Sequence, residues 1–188
     1  MDRLIVGLMG EAKTGKDTIA NMLGETYGFH KTAFAHNLKE ACRLLFNFSD
    51  AQLYGNQKEV VDAFWKKTPR EVLQYVGTEL FRNNFDKDFW VKSLMNHINS
   101  HICAHNVQRW VISDCRFKNE MQAIKDAGGK VIRLYRTDGP GAENGIVGHP
   151  SEMEMKTISD SEFDAVISLP TGVPELLMAA KAVVGDWL

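Results

Sequence analysis

Gly10-Glu11-Ala12-Lys13-Thr14-Gly15-Lys16-Asp17-Thr18 decides how the rest of the chain is read. It follows the apolar run Leu4-Ile5-Val6-Gly7-Leu8-Met9 and opens into Thr18-Ile19-Ala20-Asn21-Met22-Leu23, which has helical periodicity. The spacing fits G-x-x-x-x-G-K-[ST] over its first seven positions; Asp17 stands at the eighth and the hydroxyl arrives one residue late, at Thr18. Glycines at 10 and 15 allow left-handed backbone angles and leave no side chain in the way, so consecutive N–H groups can turn inward around phosphate oxygens. These donors sit at the positive end of a helix, and Lys16 adds a mobile cation for the outer phosphates. The alternative is an ordinary strand-to-helix turn carrying a surface lysine. Strand before and helix after are the context a phosphate cradle requires.

At 188 residues the chain suits one domain with inserted helices. A net charge of −2 offers no global attraction to a nucleic acid polymer, so an anion must be bound by local cations, which points to a small ligand. The three cysteines, Cys42, Cys103 and Cys115, are widely spaced without a C-x-x-C, as expected of free thiols in a reducing compartment. No apolar run approaches a membrane span, and Met1-Asp2-Arg3 leads directly into a strand rather than a cleavable signal, so a cytoplasmic protein with no membrane partner is expected.

Along the chain, a first helix from Thr18 to about Glu25 precedes a short second strand at 29–34. Ala35-His36-Asn37 starts a helix bearing Leu38, Ala41, Leu44, Leu45 and Phe48. Residues 49–67 read as a loop and a short helix, with Val60, Val61, Ala63, Phe64 and Trp65 as an apolar cluster. Thr68-Pro69-Arg70-Glu71 is a capping box with proline at the first helical position, predicting a helix to Arg82. Asp86 or Asp88 caps a further helix that reaches about Ala104. Strands follow at 109–114, 130–135 and 164–168, with a helix at 117–127 between the first two and a terminal helix opened by Pro174. Alternating strands and helices imply an α/β fold with a parallel sheet and ligands at the carboxyl ends of its strands. About 75 residues separate strands two and three, against the ~10–12 a crossover needs. That insertion is long enough to build a second substrate site. The glycine-rich stretch from 136 to 151 is expected to be functional or disordered.

Lys39, Arg70, Arg82, Arg116, Arg133 and Arg136 fall at strand ends and helix starts. Phosphoryl transfer is driven by positioning and charge neutralisation, and guanidinium forks bind phosphate bidentately without losing their charge. The alternative for each is a solvated surface cation. Asp114 ends a buried strand beside the cradle, where an acid can organise a magnesium shell, and Asp17 could act on the same ion through water. Asp17 could equally be a helix N-terminal carboxylate favoured by the dipole.

Four blocks resemble the bacteriophage-type deoxynucleoside monophosphate kinases of the P-loop nucleoside monophosphate kinase superfamily: the loop itself, Phe34 to Lys39, Thr68 to Arg82, and Val111 to Glu120. The resemblance implies a three-layer P-loop kinase fold with a five-stranded sheet ordered 2-3-1-4-5. It divides the chain into a core of residues 1–35 and 106–188, an acceptor-binding helical insertion at about 36–105 and a lid at about 136–151. ATP would lie on Gly10, Ala12, Lys13, Thr14, Gly15, Lys16, Asp17 and Thr18 with Mg2+, and Arg133 and Arg136 would be lid arginines. Arg70, Arg116 and Lys39 would hold the phosphate of a deoxynucleoside monophosphate. Gln74 and Trp90 would meet its base, although core packing is the competing reading of Trp90; Glu152, at the closing end of the lid, would also bind the substrate. The resemblance also favours a homodimer.

Two other readings compete. The same fold could serve another phosphorylated acceptor, as in phosphomevalonate or dephospho-coenzyme A kinases, or a nucleotide-dependent switch without a small acceptor. His97, His101 and His105 recur every four residues and read as an exposed ladder, with a metal site as the alternative.

Overall fold

A computed structural model of the chain describes residues 3–137, 150–170 and 172–188, the side chains of 150–153 and 169 excepted. Five parallel strands form its sheet: β1 (Leu4–Gly10), β2 (His30–Thr32), β3 (Arg109–Cys115), β4 (Lys130–Arg136) and β5 (Ala165–Leu169). Their order is β2-β3-β1-β4-β5, as the sequence resemblance implies. β1 is central, and all seven of its residues are buried because helices cover both faces.

The two-residue alternation of a strand divides β1 between those faces. Leu4, Val6 and Leu8 join Ile19 and Leu23 of α1 (Lys16–Tyr27) and Ala180 and Val184 of α8 (Val173–Gly185) in one apolar cluster. On the opposite face Gly7 lies under α6 (Lys118–Asp126): a Cβ there would stand 2.6 Å from Ile124 Cδ1. α7 (Pro150–Thr157), a 3₁₀ turn at Asp160–Glu162 and β5 complete the chain's return to the sheet. α7 begins within the last residues of the glycine-rich stretch, where no helix is predicted.

The chain divides into two compact units, one of Met1–Ala33 with Ile98–Leu188 and the other of Phe34–His97. The second is helical: α2 (His36–Phe46), α3 (Asp50–Leu53), α4 (Pro69–Gln74) and the first part of α5 (Phe89–His105). Its core is Cys42, Phe48, Leu53, Val72 and Val76. The capping box at α4 forms as read: Thr68 Oγ1 accepts from Glu71 N at 3.2 Å, and Glu71 Oε2 accepts from Thr68 N at 2.7 Å. The helix then changes pitch, running as a π-helix from Tyr75 to Asn83 where a continuous α-helix is predicted. Gly77 lies there so close to Leu38 that a Cβ would be 2.7 Å from its Cδ2, and the Gly77 carbonyl accepts the Trp90 indole N–H at 2.8 Å. The apolar group at Val60–Trp65 is no core: Val60, Val61 and Phe64 are 57%, 60% and 80% exposed, and only α3 represents the predicted short helix.

Candidate functional site

The loop between β1 and α1 is closed on itself before any ligand is considered. Lys13 and Gly15 both take left-handed angles, φ 63° and 92°. A Cβ on Gly15 would stand 2.3 Å from Leu176 Cδ2, and one on Gly10 would stand 2.6 Å from the Leu134 carbonyl oxygen. Both positions therefore admit only glycine in this loop path. Thr14 is buried and its hydroxyl donates to the Glu11 carbonyl at 2.9 Å. Lys16 folds back over the loop, its ammonium donating to the carbonyls of Gly10 and Glu11 at 2.8 and 2.6 Å.

Burial first, and then the charge of Arg116, lower the Lys16 pKa from 10.5 to about 8 against the opposing pull of Asp17, Asp114 and Glu11. Asp17 has a Lys31 partner: Nζ to Oδ1 is 2.8 Å. Partial burial works against its ionisation, yet hydrogen bonding and charge from Lys31, then Lys16 and the Ser113 hydroxyl, hold the Asp17 carboxyl below the usual range. Ser113 and Asp114 lie where β3 carries one residue more than β1, between the pairs Gly7–Ile112 and Met9–Cys115. A bulge of this kind beside a site re-aims the side chains on it. Arg116 follows β3 directly, exposed, and its backbone N–H donates to buried Glu120 at 2.8 Å.

A cleft of about 310 Å³ opens along the loop from Lys13 to Thr18, with Tyr135 and Arg136 on one side and Val173 and Leu176 on another. Lys13, Thr14, Gly15, Lys16, Asp17, Thr18 and Arg136 are thus assembled in one place, with Asp114 and Arg116 within electrostatic reach of Lys16. Ala12 is exposed at the loop's tip. Among the described residues no group of three or more His, Cys, Asp or Glu side chains is placed to hold a metal ion. Magnesium held by one or two carboxylates, waters and substrate phosphates needs no such cage, and Asp114 with Asp17 fits that mode.

Arg133 is placed otherwise than predicted. Its guanidinium is buried, donates to the carbonyls of Ile158 and of Met155 (3.2 Å), pairs with Asp160 at 3.2 Å, and stacks against Tyr135 and Phe163. A buried cation must be fully partnered, and this one is committed to the end of α7 and the chain that follows it. Trp90 likewise packs in the helical unit, 8% exposed against Phe81 and Phe89 with its N–H on Gly77, so packing accounts for it rather than a base contact.

In the helical unit Arg70 and Gln74 are exposed one turn apart on α4. The Arg70 guanidinium is paired with Glu59, and Lys39 holds its ammonium 4.2 Å from the Tyr54 ring centre. The Glu152 side chain and nearly all of the expected lid, residues 138–149, lie outside the described residues. His101 and His105 lie with ring centres 5.4 Å apart, and His36 contacts His97. Lys31, Ser113 and Tyr135 carry no site expectation from the sequence, yet each stands at the carboxyl end of a strand, which is the signal that could have found them, while Val173 and Leu176 come from the first turn of α8.

A lysine-bearing loop between the central strand and α1 of a 2-3-1-4-5 sheet defines the class of P-loop kinases. The same fold occurs in the dephospho-CoA kinase of Campylobacter jejuni, at TM-score 0.56 and 13% identity over 97% of this chain and 96% of that one. A gluconokinase of Sinorhizobium meliloti 1021 is similar at TM-score 0.51 and 13% identity, covering 98% and 93%. The sequence profile of deoxynucleotide monophosphate kinases matches residues 51–167, and the chain belongs to that family. It is 38% identical over 180 residues to a putative deoxynucleotide monophosphate kinase of Acanthamoeba polyphaga mimivirus, covering 87% of each. It is also 31% identical over 68 residues to the deoxynucleotide monophosphate kinase of Enterobacteria phage T4, a match covering 36% of this chain and 27% of that one. The protein is a nucleotide kinase. No helix among the described residues is long and apolar enough to cross a membrane.

Proposed function

We propose that this chain transfers the γ-phosphoryl group of ATP to a deoxynucleoside monophosphate, giving ADP and a deoxynucleoside diphosphate. The observation that carries the reading is Lys16, an ammonium held on the Gly10 and Glu11 carbonyls of the loop, its pKa lowered to about 8 by burial and by the charge of Arg116, in a chain of this family. Donor phosphates lie along the loop N–H groups of Ala12 to Thr18, and Lys16 leaves the Gly10 and Glu11 carbonyls for the outer phosphates. Arg136 and Arg116 add charge that strengthens as the phosphoryl group moves. Magnesium, held by Asp114 and Asp17 through water, would neutralise charge on the donor's outer phosphates.

An oxygen of the acceptor phosphate bonds to the γ-phosphorus as the bond to the β,γ-bridging oxygen breaks. The acceptor is already anionic at neutral pH, so no side chain need remove a proton. Arg70 and Lys39 bind its phosphate and Gln74 its base; α4 presents Arg70 and Gln74 on one exposed face. Glu152 and the lid of residues 136–151 exclude water at closure. The viral relatives are in keeping with work in the cytoplasm of an infected cell. Exposed Leu44, Leu45 and Phe64, at 84%, 67% and 80%, support a homodimer, which sedimentation velocity would detect.

A coupled ADP-release assay across the four deoxynucleoside monophosphates, their ribo-counterparts and dephospho-coenzyme A tests the function. ATP hydrolysis without diphosphate product from any deoxynucleotide would overturn it.

A further inference from the structure

The loop pattern G-x-x-x-x-G-K-[ST] ends on a neutral hydroxyl, and this chain ends it on a carboxylate. Asp17 lines the cleft beside Lys16 and is ionised, so it sets a negative charge next to the place where donor phosphates lie. Two unit charges at contact distance shift an equilibrium roughly five- to tenfold in a water-like medium, and a polyphosphate carries several. Magnesium reached through water would offset part of that repulsion, and a direct partner is needed to compensate the carboxylate itself.

Lys31 stands on β2, the strand at the sheet edge, and reaches across to the first turns of α1. Its ammonium lies 2.8 Å from Asp17 Oδ1 and donates to Asn21 Oδ1 at 3.0 Å. Residues 17 and 21 are one helical turn apart, so the two oxygens grip the ammonium from one face of α1. The Asp17 side chain is 78% exposed, and an ion pair so open to solvent contributes little to folding stability. Its position at the mouth of the cradle gives it another use.

We propose that Lys31 is a positioning residue of the donor site: by pairing with Asp17 it neutralises the carboxylate that replaces the loop hydroxyl, and so admits a polyphosphate. The inference rests on the reading of the cradle as the donor site. It also explains how a loop with an acid at this position stays competent for an anion: the compensating charge comes from the neighbouring strand.

The test is calorimetric titration of the full chain with ATP and magnesium, alongside thermal melting of each variant. Lys31→Met should weaken ATP binding about tenfold while moving Tm by less than about 2 °C. In an Asp17→Ser background the same Lys31→Met change should alter affinity less than about twofold, because no carboxylate is left to neutralise. Lys31→Arg should keep affinity within about threefold of the parent. Equal losses in both backgrounds would overturn the proposal, as would unchanged affinity in Lys31→Met when Lys16→Ala abolishes binding. Retained binding in Lys16→Ala would remove the donor reading itself, and the proposal with it.

Discussion

Nucleotide binding should pull a proton onto the protein at mildly alkaline pH. Lys16 titrates near about 8 in the free protein because burial, and then Arg116, disfavour its charged form. A bound polyphosphate supplies the missing negative charge and returns the pKa toward 10 or above. At pH 8 half of the free molecules carry neutral Lys16, so binding takes up about half a proton; at pH 9 it takes up about nine-tenths, and at pH 7 about one-tenth. The apparent Kd should therefore rise about tenfold from pH 7 to pH 9. Folding stability runs the other way. The folded pKa lies below the unfolded one, so between about 8 and 10.5 the unfolded chain holds the extra proton and the free protein gains stability as pH rises. The penalty relieved is about 3 kcal/mol, fully present below pH 8. Calorimetry in two buffers of different ionisation enthalpy counts the protons directly. The terminal phosphate itself, with a second pKa near about 6, is ionised throughout this window. No proton uptake at pH 8, with a Kd flat from pH 7 to 9, would refute the reasoning; Lys16→Arg should abolish both effects because arginine does not titrate here.

Gly15→Ala should cost about 1–3 kcal/mol and most nucleotide affinity, since it strains a left-handed residue and drives a methyl into Leu176; melting with and without ATP measures both. Arg133→Met should lower the urea midpoint by the equivalent of about 2–4 kcal/mol, because the carbonyls of Met155 and Ile158 lose their donor in a buried place. Were Arg133 a nucleotide contact instead, the loss would fall on the ATP KM with the midpoint unmoved. Arg70→Ala should raise the KM for the deoxynucleoside monophosphate about tenfold or more while the ATP KM stays within about twofold; unchanged acceptor saturation would remove Arg70 from the site.

The sheet was legible in the sequence because β1, β3 and β4 bury both faces and so read as apolar runs, and because Gly10, Gly15 and Lys16 leave little freedom in the first crossover. Arg133 misled for a reason of the same kind. Arginines near strand exits invite a phosphate-binding reading, but Arg133 sits between buried Ile132 and Leu134, inside the run and not at its exit. Of the two arginines of β4, Arg136, its last residue, lines the cleft. The π-helical segment left no periodic trace, since one extra residue per turn over a nine-residue span lies below what apolar spacing resolves. Lys31 was invisible because its role depends on β2 lying beside α1, a relation set by the sheet and not by sequence distance.

A protein with net charge −2 gathers Lys13, Lys16 and Arg136 along one cleft, and the way charge is distributed there predicts a preference for anions. Lys16 is surrounded by carbonyl oxygens, yet these partial charges do not restore its pKa, so the free site remains short of negative charge. Of the three acids whose fields reach it, Asp17 is offset by Lys31 at 2.8 Å and Glu11 by Lys156 at 3.8 Å. Asp114 also acts on Lys16, as does the opposing charge of Arg116. A neutral ligand gains nothing from this imbalance, whereas a polyphosphate corrects it, and a magnesium ion at Asp114 would deepen the deficit unless it arrived with phosphate. The same arithmetic predicts that ATP should bring the metal with it: magnesium alone should bind the free protein weakly, and its affinity should rise with nucleotide present by the same factor that it raises the affinity for ATP.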